Sequence, residues 1–324
     1  MEDVHLIHNV LANDLKKEPI RSGFGNGLLK AGQANDQVVA LCADLTDSTK
    51  MNQFAEAFAD RFFEIGIGEQ NLVTVGSGLA AQGKIPFVSS YAAFSPGRNW
   101  EQIRTTVALN DLPVKIIGSH AGVSVGADGA THQMLEDISL MRVLPNMVVI
   151  APVDSLEAER ATQAMARDPR PNYMRLAREA TPIITTTDTP FEIGKARIYW
   201  HGEDITLIST GTMTYQAMVA AAKLAEQGIK AELIHVATIK PLDSETILRS
   251  VQKTGKVLTA EEGQINGGLG GAIAELLGEN YPVPLKRVGM QDRFGESGEP
   301  EELLIHFNLS SEYIIKEAIK LVTA

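Results

Sequence analysis

The sequence predicts an α/β protein of two domains, each with a mainly parallel sheet. Short apolar runs rich in β-branched residues, such as Val38–Leu45 and Val114–Gly118, alternate with segments of helical period. Polar, glycine-rich turns follow several of the apolar runs. The alternation stops once, at a threonine- and proline-rich stretch, and then begins again. Strands alternating with helices of this length predict right-handed βαβ units, so each half of the chain is expected to form its own sheet.

The first half is predicted to contain six strands and six helices. The strands are expected at Val38–Leu45, Phe62–Ile67, Ile85–Tyr91, Val114–Gly118, Met147–Ala151 and Tyr173–Ala177. The helices are expected at Ser22–Gly32, Met51–Asp60, Glu69–Gly83, Asn99–Asn110, Gln133–Leu144 and Ser155–Arg167. Parallel strands flanked by helices place functional side chains at the carboxyl ends of the strands.

The segment E-A-T-P-I-I-T-T-T-D-T-P-F-E, with two prolines and five threonines, is the best candidate for a domain boundary. We therefore divide the chain into an N-terminal arm (1–18), a first domain (19–180), a linker (181–193) and a second domain (194–324). The second domain is predicted to have strands at Ile205–Ser209, Ala231–His235, Lys256–Ala260 and Leu285–Val288, with helices between and after them.

Composition excludes several classes of function. The 324 residues are 44% hydrophobic and carry a formal net charge of -11, which argues against a nucleic-acid or anionic-membrane partner. The single cysteine, Cys42, excludes an internal disulfide and most cysteine metal sites. There is no apolar run long enough to span a bilayer, and the mixed-charge start has no signal-peptide pattern, so a cytoplasmic location is expected.

The stretch Ile116–Gln133 is the strongest candidate for a site. It begins as a buried strand and becomes a glycine-rich loop that contains His120, Asp128 and His132. Two histidines and an acid on one such loop suit proton transfer, anion binding or metal ligation, and the loop alone does not choose among them. Metal binding is the weakest alternative, because the spacing is not that of a helical histidine pair.

Other candidate residues have both a structural and a functional interpretation. Glu69 opens a helix, where a carboxylate usually makes a charge–dipole contact; in a poorly solvated pocket it would instead share a proton with a ligand nitrogen. Tyr91 and Phe94 suit either rim packing or a platform for a flat heteroaromatic ring. A sugar phosphate in this acidic protein would need bidentate arginines, for which the candidates are Arg21, Arg98, Arg175 and Arg178. The G-G-L-G-G segment favours close packing of a helix over phosphate binding.

Four segments, taken together and in this order, resemble those of transketolases and deoxyxylulose-phosphate synthases, which use thiamine diphosphate. They are C-A-D-L-T-D-S-T (Cys42–Thr49), G-I-G-E-Q-N (Gly66–Asn71), G-A-D-G-A-T-H-Q (Gly126–Gln133) and L-P-N-M (Leu144–Met147). The resemblance covers nearly the whole chain and implies a pyrimidine-binding domain followed by a transketolase C-terminal domain. His120 is the transketolase choice where the synthases have arginine, whereas the Ala-Gly after it resembles the synthases.

The resemblance also implies roles for individual residues. Glu69 is expected to share a proton with the cofactor's aminopyrimidine, which activates the cofactor. Phe94 and Tyr91 are expected beside that ring, and Asp44 and Arg98 nearby, the last after a small adjustment of loop length. The substrate is assigned two overlapping groups: Asp128, His132 and His120 for catalysis, and Arg21, Ser48, His120, Asp128 and Arg178 for binding its hydroxyls and phosphate.

One family motif is missing, because no Gly-Asp-Gly occurs in the chain. In these enzymes that motif binds the divalent metal, Mg²⁺ or Ca²⁺, which holds the cofactor's diphosphate. The resemblance therefore implies the C-terminal subunit of a split transketolase, in an α2β2 assembly whose N-terminal subunit carries the metal site. The alternatives are a deoxyxylulose-phosphate synthase-like enzyme, a 2-oxo acid dehydrogenase β subunit and a non-catalytic subunit; G-A-D-G-A-T-H-Q favours sugar-phosphate chemistry.

Overall fold

The structure, a computed structural model, describes residues 5–323, so the first four residues of the predicted arm lie outside it. The strands are β1 (Lys17–Pro19), β2 (Val38–Cys42), β3 (Phe62–Glu64), β4 (Ile85–Tyr91), β5 (Lys115–Ser119), β6 (Val148–Ile150), β7 (Asn172–Arg175), β8 (Ala180–Pro182), β9 (Arg197–Trp200), β10 (Ile205–Ser209), β11 (Ala231–His235), β12 (Thr238–Lys240), β13 (Val257–Gln264) and β14 (Leu285–Met290).

Helices connect most of these strands. They are α1 (Ile20–Ala34), α2 (Asn52–Ala57), α3 (Glu69–Ala81), α4 (Trp100–Gln102), α5 (Asp137–Arg142), α6 (Ser155–Arg167), α7 (Met213–Glu226), α8 (Ser244–Thr254), α9 (Leu269–Asn280), α10 (Pro300–His306) and α11 (Ser311–Thr323). Helix α4 continues directly into a π-helical turn, Ile103–Ala108.

The larger sheet has seven strands in the order β12-β6-β7-β5-β4-β2-β3. From β6 to β3 every neighbouring pair is parallel, and every residue of β2, β5, β6 and β7 is buried. Complete burial explains why β2 and β6 appear in the sequence as continuous apolar runs instead of alternating ones. The predicted fold class is confirmed for this half.

Glycines in α1 allow it to pack closely on α6. A Cβ on Gly23 would lie 1.7 Å from the backbone oxygen of Ser155, and one on Gly27 would lie 2.7 Å from that of Glu159. Helix α6 is capped by Asp154, directly before its first residue, whose carboxylate accepts from the Glu157 amide at 2.9 Å. On another helix, Gly76 of α3 plays a similar part against the core, with Val88 2.8 Å from its would-be Cβ.

The smaller sheet belongs to the second half of the chain and has the order β14-β13-β10-β11-β9. Of its four strand pairings, the one between β11 and β9 is antiparallel and the other three are parallel. Helix α8 is capped by Asp243, whose side chain accepts from the Thr246 amide. A second parallel sheet with its own helices confirms the two-domain α/β architecture.

The two halves are joined by more than the connecting segment. Strand β12 pairs antiparallel with β6, so the second half supplies the edge strand of the first sheet. Asp154 accepts backbone bonds from Ile184 and Thr185, which fixes the predicted linker against α6. The boundaries placed at 180 and 194 stay a prediction, and the pairing of β1 with β8 joins Lys17 and Glu18 of the predicted arm to Pro182 and Thr181 of the predicted linker.

Three predicted helices differ from the observed ones. The helix expected from Gln133 begins at Asp137, because the Gln133 side chain donates to the carbonyls of Val123, Gly126 and Glu296 and holds the preceding residues in a loop. The helix expected at 51–60 covers Asn52–Ala57, and the one expected at 99–110 changes from α to π geometry. Within residues 5–323, no helix is long and apolar enough to cross a membrane.

Candidate active site

Four parallel strands bring the candidate residues to one edge of the larger sheet. Strands β2, β3, β4 and β5 lie side by side, and each is followed by a segment that the sequence singled out. Parallel strands end at the same edge, so these segments converge although they are far apart in sequence. The residues concerned are Asp44 after β2, Glu69 after β3, Tyr91 at the end of β4 and His120 after β5.

Glu69 is the first residue of α3 and is almost completely shielded from solvent, with a side chain 2% exposed. Its Oε2 accepts from Arg98 Nη1 at 2.8 Å, and its Oε1 accepts from Ser90 Oγ at 3.3 Å. Asn99 Nδ2 donates to the Glu69 carbonyl at 2.9 Å and so fixes the start of the helix. The carboxylate is thus held in one position at the end of β4, away from water.

Aromatic rings line the space beside this carboxylate. The ring centroids of Tyr91 and Phe94 lie 6.3 Å apart with nearly parallel planes, and the Arg98 guanidinium carbon lies 4.7 Å from the Phe94 centroid. His132 meets Phe94 edge-on at 5.4 Å, and His120 lies 4.0 Å from Tyr91. The structure thus brings these two aromatics next to both histidines, and their half-buried faces suit a flat ring.

His120 is held in a strained, buried position. Its φ is 57°, and its Nδ1 lies 2.8 Å from Ser119 Oγ. Burial, and after it the positive charges of Arg21 and Arg178 and the nearby His132, lower the pKa of His120 from 6.5 to about 3. At neutral pH the imidazole is therefore uncharged, and it offers a hydrogen bond in place of a positive charge.

Arg21 and Arg178 form a small cationic group next to His120. Arg21 Nη1 donates to the Arg178 carbonyl, while Arg178 Nη1 donates to the Val125 carbonyl at 2.7 Å. Burial, followed by the charge of Arg178, lowers the pKa of Arg21. Two guanidinium groups anchored on backbone carbonyls concentrate positive charge in an acidic protein, as binding of an anion requires.

The loop that contains Asp128 and His132 is fixed by the second domain. Gly122 adopts a φ of 94°, and a Cβ there would lie 2.2 Å from Glu262 Oε1, which also accepts from the Ser124 amide at 2.7 Å. Asp128 is exposed on this loop, whereas His132 is half-buried. The second domain therefore helps to position the predicted catalytic loop, although it supplies none of the predicted site residues.

Asp44 and Ser48 lie on the loop after β2, at the side of the site. Asp44 has a φ of 56° and an exposed side chain, and its amide donates to Glu64 Oε1 at 2.7 Å. The same oxygen accepts from the Gly66 amide at 3.0 Å. Glu64 thereby connects the Asp44 loop to the glycine turn that leads to Glu69.

Sequence reasoning missed three residues that shape the site: Glu64, Ser90 and Asn99. Ser90 is the penultimate residue of a predicted strand, and strand alternation gave no sign that its hydroxyl reaches Glu69. Glu64 carried one usable signal, since it is an acid at the end of a strand that leads into a glycine turn. Asn99 follows directly after Arg98 and gave no comparable signal.

Two other candidates have structural roles. Arg175 is buried, with its Nε 3.3 Å from Asp137 Oδ2 and its Nη2 bonded to the Glu262 carbonyl, so it connects the domains inside the protein. The amides of Leu269 and Gly270, at the start of the G-G-L-G-G helix, donate to the Glu261 carboxylate. The Glu261 carboxylate therefore occupies the helix N-terminus at which a phosphate would bind. This supports the interpretation that the glycines allow close packing.

No group of three or more histidine, cysteine, aspartate or glutamate side chains between residues 5 and 323 is arranged to hold a metal ion. The carboxyl edge of the parallel sheet thus carries a buried carboxylate, two aromatic faces, two histidines and two arginines. These groups define an α/β protein with a site suited to a cofactor and an anion. The chemistry of these groups fits a flat, nitrogen-containing ring next to a negatively charged substrate.

Comparisons with known proteins identify the family. Residues 16–183 match the family model "Transketolase, pyrimidine binding domain", and residues 194–314 match "Transketolase, C-terminal domain". The chain is 44% identical over 304 residues to a putative transketolase C-terminal section of Methanocaldococcus jannaschii, covering 93% of this chain and 95% of that protein. It is 41% identical to a 6-deoxy-6-sulfo-D-fructose transketolase subunit of Clostridium sp., covering 94% of each.

A solved structure described as a split gene transketolase, inactive beta4 tetramer, shares the fold with a TM-score of 0.89. The two chains are 42% identical, and the match covers 94% of this chain and 98% of the other. This chain belongs to the transketolase family, which depends on thiamine diphosphate. Within that family it corresponds to the C-terminal subunit of a split enzyme, and the resemblance stated from its motifs is confirmed.

Proposed function

We propose that this chain is the C-terminal subunit of a transketolase that transfers a two-carbon ketol unit between sugar phosphates. The observation that carries the proposal is the position of Glu69, a buried carboxylate beside the Phe94 and Tyr91 rings. A carboxylate shielded from water and next to aromatic faces is what an aminopyrimidine requires as a proton-sharing partner. A subunit without a catalytic role would need none of these residues in this arrangement.

Thiamine diphosphate, when bound, supplies the carbon nucleophile and the electron sink for this chemistry. In our proposal Glu69 shares its proton with the pyrimidine ring, and Phe94 and Tyr91 hold the plane of that ring. Asp44 is proposed at its margin, and Arg98 contacts both Glu69 and the Phe94 ring. The half-buried aromatic faces and the fixed carboxylate fit the ring, which supports this half of the cofactor site.

The histidines and arginines suit the substrate. We infer that His120, which is neutral, together with His132 and Asp128, hydrogen-bonds the hydroxyls of the sugar and moves protons during carbon–carbon cleavage. Arg21 and Arg178 supply the positive charge for a phosphate, and Ser48 offers a hydroxyl on the neighbouring loop.

The diphosphate must be held by another chain. We propose an N-terminal subunit that carries the Mg²⁺ or Ca²⁺ site and forms an α2β2 complex with this one, because this sequence has no Gly-Asp-Gly. The relative described as a C-terminal section and the inactive beta4 tetramer both support a chain that is inactive without its partner. A cytoplasmic location is part of the same proposal.

The sugars themselves are proposed only as a class. The Clostridium relative is described as acting on 6-deoxy-6-sulfo-D-fructose, so donors other than pentose phosphates belong in the test. The first experiment is calorimetry with thiamine diphosphate and Mg²⁺, on the chain alone and mixed with its N-terminal partner. Much tighter binding by the mixture than by the lone chain supports the split site, whereas equally tight binding by the lone chain contradicts it.

The second experiment measures turnover by the complex with xylulose 5-phosphate and ribose 5-phosphate. Replacing Glu69 with Ala should reduce ketol transfer by about 100-fold or more, since general acid–base groups contribute that much. Glu101→Ala, at an exposed position, is the matched control. Unchanged turnover in the Glu69 variant contradicts the catalytic assignment. Turnover of pyruvate with a lipoyl acceptor, or with glyceraldehyde 3-phosphate, would instead indicate a 2-oxo acid dehydrogenase or a deoxyxylulose-phosphate synthase.

A further inference from the structure

The Arg98 guanidinium makes two contacts at once. Its Nη1 donates to Glu69 Oε2 at 2.8 Å, and its central carbon lies 4.7 Å from the centroid of the Phe94 ring. The group therefore sits between the buried carboxylate and the aromatic face. This is the space that the proposed function gives to the aminopyrimidine of the cofactor.

The chemistry of the two groups is similar. A guanidinium is planar and delocalised, donates N–H bonds to a carboxylate and stacks on aromatic faces. An aminopyrimidine that stacks on Phe94 and bonds to Glu69 makes the same two contacts. Both groups cannot occupy one position, so the ring requires Arg98 to move.

We propose that Arg98 is an internal surrogate for the pyrimidine, which occupies its place in the chain without cofactor and leaves when the cofactor binds. This inference rests on the proposed function for the identity of the ring. The sequence suggested that Arg98 helps to bind the cofactor, whereas the geometry assigns it a competing role.

Burial explains why a surrogate is needed. Glu69 is 2% exposed, and a buried carboxylate without a charged or hydrogen-bonding partner is costly. Apart from Arg98, its side chain has one hydrogen-bond donor in the described structure, Ser90 Oγ at 3.3 Å. Arg98 supplies the missing charge until the ring arrives.

Exposure explains how the surrogate can leave. The Arg98 side chain is 50% exposed, so the guanidinium can turn into solvent without disturbing the core. Its departure leaves Asn99 in place, since Asn99 bonds to the Glu69 carbonyl and to Ser95 Oγ. The carboxylate therefore keeps its position while its partner changes.

A surrogate lowers the apparent affinity for the ring, because only the fraction of molecules with an open site can bind. If the site is closed in roughly nine molecules of ten, removing the guanidinium tightens binding about tenfold. Thiamine is the suitable probe, since it has the pyrimidine and lacks the diphosphate that needs the partner's metal. Its binding to this chain alone can be measured by calorimetry.

The experiment compares wild type with Arg98→Ala and Arg98→Lys, and with Arg104→Ala as the matched control. Arg104 is exposed on the helical segment that follows the turn containing Arg98. We expect Arg98→Ala to bind thiamine about tenfold more tightly than wild type, Arg98→Lys to lie between the two, and Arg104→Ala to equal wild type. Thermal unfolding of each variant confirms that it is folded.

Equal or weaker binding by Arg98→Ala, or no detectable binding by either chain, overturns the surrogate, since its removal must raise the affinity. In that case thermal unfolding of Arg98→Ala and Arg98→Lys at the wild-type temperature excludes a folding defect as the cause. Ketol transfer by the complex is a separate readout. If Arg98→Ala binds thiamine more tightly but the complex shows no ketol transfer, the surrogate role is supported and the proposed reaction is refuted. If the complex transfers the ketol unit but Arg98→Ala binds thiamine no more tightly, the reaction is supported and the surrogate role is refuted.

Discussion

The neutral, buried His120 makes the stability of this chain depend on pH in a defined direction. Its pKa falls from 6.5 in the unfolded chain to about 3 in the folded one, chiefly through burial and then through Arg21 and Arg178. Between these values the unfolded chain binds a proton that the folded chain does not. Stability is therefore complete above pH 6.5 and is lost as the pH falls below it.

The size of this loss in unfolding free energy is set by the unfolded pKa and the working pH, because the folded pKa lies well below that pH. A pH of 5 lies about 1.5 units below the pKa of the unfolded histidine, and each unit corresponds to about 1.4 kcal/mol of unfolding free energy. His120 should therefore cost about 2 kcal/mol at pH 5 relative to pH 8. That is a large fraction of the roughly 5–15 kcal/mol that stabilises an ordinary protein.

Urea unfolding of wild type and His120→Asn, at pH 8 and at pH 5, measures this effect. Carboxylates titrate in both proteins and cancel in the comparison, as does the loss of packing against Tyr91. Wild type should lose about 2 kcal/mol more than the variant between the two pH values. An identical loss in both proteins would refute the argument that His120 is held neutral.

Three further predictions concern the packing and the metal. Gly122→Ala should lower the free energy of unfolding by about 2–3 kcal/mol, because the new Cβ would clash with Glu262 and the residue has a positive φ. Chemical denaturation measures this loss, and an unchanged free energy of unfolding would mean that the loop rearranges freely. Tyr173→Phe removes the 2.8 Å bond to buried Asp137 and should cost about 1–2 kcal/mol, and an unchanged unfolding midpoint would show that water replaces it. Chelation of divalent metal should abolish thiamine diphosphate binding by the two-subunit complex and leave the melting temperature of this chain alone unchanged, whereas a lower melting temperature would indicate a metal site within it.

The fold was predictable because the central strands of both sheets are buried on both faces. Val38–Cys42 and Val148–Ile150 appear in the sequence as apolar runs, and hydrophobic pattern identifies such runs well. Strand β12 was not predicted, since Thr238–Lys240 is three residues long and pairs with a strand nearly ninety residues earlier. Its location depends on tertiary packing, which no local pattern records.

The site was predictable to the extent that chemistry and chain order reveal it. Glu69, His120 and His132 stand out because ionisable groups in glycine-rich turns after apolar runs are informative. Other features of the site are contacts between residues of separate elements. Ser90 contacts Glu69, and Arg98 lies between that carboxylate and Phe94. The sequence specifies the residues concerned and leaves their pairing open.

The pairing of β12 with β6 has a consequence for how this protein can be divided. All three residues of Val148–Ile150 are buried, and β12 covers their outer edge. A fragment ending at the threonine-rich segment would leave that apolar edge with unpaired backbone groups, which is a template for intermolecular strand addition. Expression of the first domain alone should therefore yield aggregates, and the two domains should melt in a single cooperative transition.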